Sequence, residues 1–130
     1  MLADTLPYGH MSHDDYDDLV FKALADKTRR SLMDLLRKRA HTTGELCDQF
    51  ETTRFAVMKH LKVLVDANLV LIERRGRERW NLLNPVPLRR IQRRWLRRFD
   101  TQAADRMLDL KANLEQKATA PKKTHSRHRA

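Results

Sequence analysis

The sequence predicts a mainly α-helical fold carrying one small β-hairpin, and three observations predict it. Apolar residues recur at steps of three and four along most of the chain, the period of an amphipathic helix. Good N-cap residues (Asp26, Thr42 and Thr53) cut that pattern into separate helices. One aliphatic and β-branched run, Leu69-Val70-Leu71-Ile72, departs from the period, and the turn Arg74-Arg75-Gly76-Arg77 follows it.

The elements follow in order. Residues 1–13 read as a flexible acidic arm, with turn chemistry at Leu6-Pro7-Tyr8-Gly9. From Asp14 to about Leu24, the apolar positions Leu19, Val20, Ala23 and Leu24 predict a helix. The Asp run at its front suits the positive end of a helix dipole. Asp26 caps a second helix from Lys27 to about Ala40, whose buried face is Leu32, Leu35 and Leu36. Thr42-x-x-Glu45 is a capping box and opens a short helix ending near Phe50. Thr53 or Thr52 caps the next helix, which runs to about Ala67, with Asn68 as a left-handed stop.

Leu69–Ile72 then pairs with Trp80-Asn81-Leu82-Leu83, which puts Trp80 and Leu82 on one face, and Gly76 supplies the positive φ of the turn. Pro85 and Pro87 end the hairpin and lead into the last helix. Its stripe is Leu88, Ile91, Trp95, Phe99, Ala103, Met107, Leu110 and Leu114, about seven turns. A small domain has little core to cover so long a stripe. Leu88, Ile91, Trp95, Phe99, Met107, Leu110 and Leu114 are therefore candidates for contact with a second copy. Residues 14–117 form one domain on this reading, and 118–130 form a disordered basic tail.

Charge narrows the partners. The chain has 130 residues and a formal net charge of +10, which directs it to a polyanion. The charge is uneven: residues 1–18 hold five Asp and no Lys or Arg, so the remainder is more basic than the total. One cysteine, Cys47, excludes an intramolecular disulfide and suits a reducing compartment. No apolar run approaches the ~18–20 residues of a membrane span, and the N-terminus lacks a secretion signal. The expected location is the cytoplasm.

A capped short helix, a break and a second capped helix followed by a hairpin make a winged helix-turn-helix, in the order α-α-α-α-β-β-α. Such a second helix lies in the DNA major groove. Its candidate DNA contacts are Thr53, Arg54, Phe55, Met58 and Lys59, with His60 and Lys62 toward phosphate. His60 alternatively packs partly inward. Arg54 suits a bidentate contact to guanine, and Phe55 and Met58 suit thymine methyl groups. Val57, Leu61 and Leu64 are core by spacing. The wing offers Arg74, Arg75, Arg77 and Arg79 to the DNA backbone or to a minor groove. The alternative for these arginines is a charged edge that blocks strand pairing.

Five segments in order carry a family likeness. They are Ala23–Arg30, Gly44-Glu45-Leu46, Ala56–Leu64, Ala67–Val70 and Gly76–Trp80 with Leu82 and Pro85. Over roughly residues 19–115 the chain resembles the arsenic-repressor (ArsR) family of bacterial transcriptional regulators. The resemblance implies a homodimeric repressor that binds an imperfect palindrome in a promoter. It departs from the pattern at Lys27, where the family commonly has Pro, and at Phe55 and Met58, which replace a smaller residue and a Ser. Metal-sensing members carry Cys-x-Cys in the short helix, whereas Cys47 here is followed by Asp48 and Gln49. Other members ligate metal from the last helix, and no His lies between Leu88 and Lys117. The resemblance is to the branch without a metal site, with neither metal nor cofactor.

Remaining features have two readings each. The block Arg89, Arg90, Arg93, Arg94, Arg97 and Arg98 is a solvated flank, or adds phosphate contact or an anionic-effector site. Cys47 is a buried small residue, or a thiol sensor. Arg29 is expected in a structural ion pair, with Glu45 as the candidate partner, rather than on DNA. No Ser-His-Asp arrangement, phosphate-binding Gly loop or metal cluster supports catalysis. The expected partners are double-stranded DNA, a second copy and an unidentified small-molecule effector, with no membrane. The rival to a DNA-binding repressor is a protein-interaction module on the same fold that has lost specific DNA reading.

Overall fold

The computed structural model describes residues 11–99 and 101–119. Most of the N-terminal arm and of the basic tail lies outside the described residues. Where the two overlap, the helices reach further than expected: His13 opens the first helix, and the last one runs through Thr119.

Two compact units divide the chain between Arg93 and Arg94. In the first, α1 (His13–Leu24) starts at Ser12, whose hydroxyl accepts from Asp15 N at 3.1 Å. Helix α2 (Lys27–Lys38) starts at Asp26, whose carboxylate accepts from Arg29 N at 3.0 Å. The two-residue strand β1 (His41–Thr42) leads directly into α3 (Thr43–Cys47). Helix α4 (Arg54–Asp66) starts at Thr53. Strands β2 (Val70–Arg75) and β3 (Glu78–Leu83) form the hairpin, and α5 (Val86–Arg94) follows.

The helix ends follow local chemistry. The capping box is complete: Thr42 Oγ1 accepts from Glu45 N at 3.1 Å, and Glu45 accepts from Thr42 N at 2.9 Å. Helix α4 stops in a Schellman arrangement. Asn68 adopts φ 60°, Leu69 N donates to Leu64 O, and Asn68 N donates to Val65 O, both at 2.9 Å.

The sheet is antiparallel in the order β1-β3-β2. Strand β1 is an addition to the expected hairpin. It pairs His41 with Asn81 and Thr42 with Trp80. Trp80 and Leu82 do share a face, but the fully buried residue of β3 is Asn81 on the other face. Its Nδ2 donates to His41 O at 3.2 Å and to Thr43 Oγ1 at 3.1 Å, so a polar side chain ties β1 and α3 to the sheet. The core gathers Val20, Ala23, Leu32, Leu36, Leu46, Val57, Leu61, Leu64, Leu69 and Val70, with Tyr16 also buried on α1.

The long last helix is not continuous. Helix α5 ends at Arg94, Leu96–Arg98 form a 3₁₀ turn, Phe99 is extended (φ −100°, ψ 142°), and α6 runs Thr101–Thr119. The physical reason is charge. Continuing α5 would add Arg93/Arg97 and Arg94/Arg98 as like-charge neighbours four apart to Arg89/Arg93 and Arg90/Arg94, which it already carries, and each such pair destabilises a helix.

The stripe is divided accordingly. Ile91 is buried in the core of its own unit, and Leu88 packs half-buried against that core. Ile91 is therefore withdrawn from the surface as a contact for a second copy. In the second unit, Trp95 and Phe99 meet edge to face at 5.2 Å. They are exposed, as are Met107, Leu110 and Leu114 on α6.

Candidate nucleic-acid interface

Helix α4 separates its residues by period. Val57, Leu61 and Leu64 face the core, while Arg54, Phe55, Met58, Lys59 and Lys62 face water. Phe55 is 71% exposed and Met58 39%. Two large apolar side chains on an outer face carry a hydration cost that the isolated domain does not recover. Lys59 Nζ lies 5.1 Å from the Phe55 ring centroid, a cation–π contact one helical turn apart. Lys62 Nζ pairs with Asp66 at 3.0 Å. The hydroxyl of Thr53 accepts from Ala56 N at 3.1 Å, so Thr53 is first a cap.

The hairpin stands beside this helix. Its two-residue turn is Gly76-Arg77, with Gly76 at φ 63°. Glycine at the first central position at positive φ fits a II′ turn, whose twist matches that of the strands. Strand register decides where each arginine goes. Arg74 lies opposite Arg79, and both share a face with the Ile72/Asn81 pair. Arg75 lies on the other face, where its Nε donates to Glu73 Oε1 at 2.8 Å and its guanidinium covers the Trp80 ring at 4.8 Å. Arg77 is exposed at the tip. Like charges directly opposite in a sheet are destabilising, and an anion between Arg74 and Arg79 would remove that cost.

Between helix and wing lies an open groove of about 470 Å³. Phe55, Met58, Lys59 and Lys62 line it from α4, Arg79 from β3 and Thr43 from α3. The structure thus brings together candidates from α4 and the wing that are distant in the chain. It also adds Thr43, Val65 and Asp66 to the lining. Thr43 carried no sequence signal for this place, since the bond from Asn81 that holds it is a tertiary contact.

His60 takes the inward one of its two alternatives, and Arg29 takes partners other than the expected one. His60 faces inward: its Nδ1 lies 3.2 Å from Arg29 Nη1 and 3.7 Å from Asp26 Oδ2. Arg29 does not pair with Glu45, because Arg39 does so at 3.2 Å. The two carboxylates in these clusters are held below their ordinary range. For Asp26 the main cause is the backbone N–H of Arg29, with the charge of the Arg29 side chain adding to it. For Glu45 it is the backbone N–H of Thr42, then the Arg39 bond.

Cys47 is half-buried against the core. Arg89 donates to Gln92 Oε1 at 3.1 Å on α5, and Arg93, Arg97 and Arg98 are exposed. Among the described residues, no group of three or more His, Cys, Asp or Glu is placed to hold a metal ion.

Residues 24–73 match the family model described as a helix-turn-helix domain. The HTH-type transcriptional regulator YuzN of Bacillus subtilis is 41% identical over 86 residues, covering 61% of this chain and 94% of the relative. The transcriptional repressor SdpR of the same organism is 33% identical over 69 residues, covering 53% of this chain and 77% of the relative. Among solved structures, the ArsR family transcriptional regulator RHA00566 superposes with a TM-score of 0.60 at 29% identity, covering 64% of this chain and 90% of that one. With a helix-turn-helix, an arginine-bearing wing and one unpaired cysteine, the chain belongs to the ArsR family of winged helix-turn-helix transcriptional regulators, in the branch that lacks the metal-binding cysteine pair.

Proposed function

We propose that this DNA-binding regulator acts as a homodimeric repressor on a palindromic operator. The observation that carries the reading is the surface shared by α4 and the wing. An exposed helix face bearing Arg54, Phe55, Met58, Lys59 and Lys62 borders one groove with Arg79, and Arg74 shares the Arg79 face of the hairpin. Helix α4 enters the major groove, where Arg54 reads guanine and the apolar pair meets thymine methyl groups. Arg74, Arg77 and Arg79 take phosphates, while Arg75 holds the wing through Glu73 and Trp80.

Dimerisation is assigned to the exposed apolar residues of the second unit, namely Trp95, Phe99, Met107, Leu110 and Leu114. Water-exposed apolar residues repeated along a helix are stable in solution when a partner covers them. The relative SdpR, a transcriptional repressor by name, supports repression as the output.

The experiment is a gel shift on the DNA upstream of the gene, against random duplex, at ~150 mM salt. A preference for the upstream fragment, falling steeply as salt rises, is expected. Equal binding to both DNAs refutes the specific-operator reading. Sedimentation should give twice the chain mass, with the two reading helices spaced for successive major grooves, about 34 Å apart. Arg54→Ala should relax base preference. Arg77→Ala should weaken all sequences alike and lower the salt slope by about one.

A further inference from the structure

Behind the DNA-facing surface sits a cluster that DNA contacts do not use. Arg29, in the first turn of α2 and half-buried, directs all three guanidinium nitrogens at groups of its own domain. Its Nε donates to Ala23 O at 2.6 Å and its Nη2 to Lys22 O at 3.0 Å. Arg30 takes the next carbonyl, Leu24 O, at 2.7 Å. These are last-turn carbonyls of α1, where the helix's own hydrogen bonds run out; Lys22 O also accepts from the cap residue Ala25 N at 3.2 Å. The third nitrogen, Nη1, lies 3.2 Å from Nδ1 of His60, on α4. Asp26 closes the cluster: one carboxylate oxygen accepts from Arg29 N at 3.0 Å and lies 3.7 Å from the same His60 nitrogen. One planar fork therefore joins the end of α1, the start of α2 and the middle of α4.

We propose that Arg29 and His60 are positioning residues that fix the rotation of α4, and with it operator specificity. This rests on the reading of α4 as the helix in the major groove. The other contacts of α4 with its own domain are mainly apolar, through Val57, Leu61 and Leu64, and apolar contact is non-directional. A helix held only by such a stripe can roll. Side-chain atoms stand ~5 Å from a helix axis, so a roll of about 10–20° moves them by ~1–2 Å, more than a base-edge hydrogen bond tolerates. The Arg29–His60 bond is directional, and it acts on the residue next to Lys59. Arginine suits the task because its donors lie in one rigid plane.

The geometry also sets the chemistry of the ring. Arg29 can only donate, so His60 accepts through Nδ1, and neutral His60 carries its proton on Nε2. The groups facing the ring are the Arg29 guanidinium and the Asp26 carboxylate. Asparagine places an oxygen near the Nδ1 position and preserves the acceptor, whereas alanine removes it.

The test uses the full chain and a duplex that it selects from a random library, with a scrambled duplex as reference, at ~150 mM salt. His60→Ala is expected to weaken the selected duplex about tenfold, the scale of one mispositioned base contact, and to leave the scrambled duplex within about twofold. His60→Asn should recover most of the loss, and Arg29→Lys should resemble His60→Ala. In the DNA-free protein, nitrogen-15 shifts should show His60 as the Nε2–H tautomer. An equal loss on both duplexes assigns His60 to phosphate and overturns the proposal. So does His60→Ala binding like the parent, failure of His60→Asn to recover affinity, or an Nδ1–H tautomer. A parent chain that selects no duplex refutes the proposed function itself, and that failure is visible before any substitution is made.

Discussion

Phe55 offers a separation between stability and reading. It is 71% exposed, and a phenylalanine side chain presents roughly 200 Å², so ~140 Å² of its apolar surface stands in water. If DNA covers half of that, the gain at ~25 cal/mol per Å² is about 1.8 kcal/mol, or roughly twentyfold in affinity. Phe55→Ala should therefore lose about twentyfold on the selected duplex. Its thermal midpoint should hardly move, because the substitution removes only the contact with Lys59, worth ~0.5 kcal/mol when exposed. The DNA supplies the control. Replacing thymidine by deoxyuridine deletes one methyl and nothing else, at a cost of about 0.8 kcal/mol or fourfold where that methyl is covered. Fluorescence anisotropy should find at least one thymine position at which the parent loses this factor and Phe55→Ala does not. If deoxyuridine is silent at every position in the parent, methyl contact by Phe55 is refuted. If Phe55→Ala weakens random duplex as much as the selected one, the ring does not read sequence.

Other perturbations test the scaffold. Thr42→Ala removes the hydroxyl half of the capping box and should cost ~1 kcal/mol, a fall of about 4 °C in a thermal melt. Glu45 titrates lower in the folded chain than in the unfolded one, so its contribution is complete at neutral pH. That contribution is lost as pH falls below ~4.3, the unfolded-state value, through the folded one. Urea melts from pH 6 to pH 3 should show a loss that Glu45→Gln reduces. Asn81→Asp replaces the buried amide donor with an acceptor facing His41 O and Thr43 Oγ1. Burial raises the pKa of the new carboxyl, so stability should drop by about 3 kcal/mol at pH 7 and recover in part toward pH 4. A pH-independent loss would show that the site is hydrated.

Local chemistry was legible and tertiary pairing was not. The caps at Asp26, Thr42 and Thr53, the stop at Asn68 and the turn at Gly76 each satisfy backbone groups within a few residues, so they announce themselves in a short window. Strand β1 has two residues, too few for any period, and its partner Asn81 lies 40 residues on. Asn81 reads as a polar strand position, and its burial follows only from the acceptors that β1 and α3 bring to it. Arg29 was recognisable as structural, but α1 carbonyls are invisible to a search for acidic partners. The apolar stripe from Leu88 to Leu114 kept its period across a break, because periodicity does not register repulsion among the flanking arginines. Ile91 belongs to one unit's core, and the residues from Trp95 onward belong to the next.

The wing shows why a count of charges is not yet an interface. Its four arginines are alike in sequence, and register gives them different roles. Arg74 and Arg79 face the side of Ile72 and Asn81, whereas Arg75 sits against Glu73 and Trp80. Side chains alternate with a period of two, so a slip of one residue would exchange Arg74 for Arg75. It would also pull Asn81 away from His41 and Thr43. The register is held by a turn that needs positive φ at Gly76, where no atom crowds an added Cβ and the constraint is conformational alone. A substitution at Gly76 would therefore act on DNA binding through the strands, by changing which arginines face the groove, although residue 76 itself carries no side chain to touch DNA.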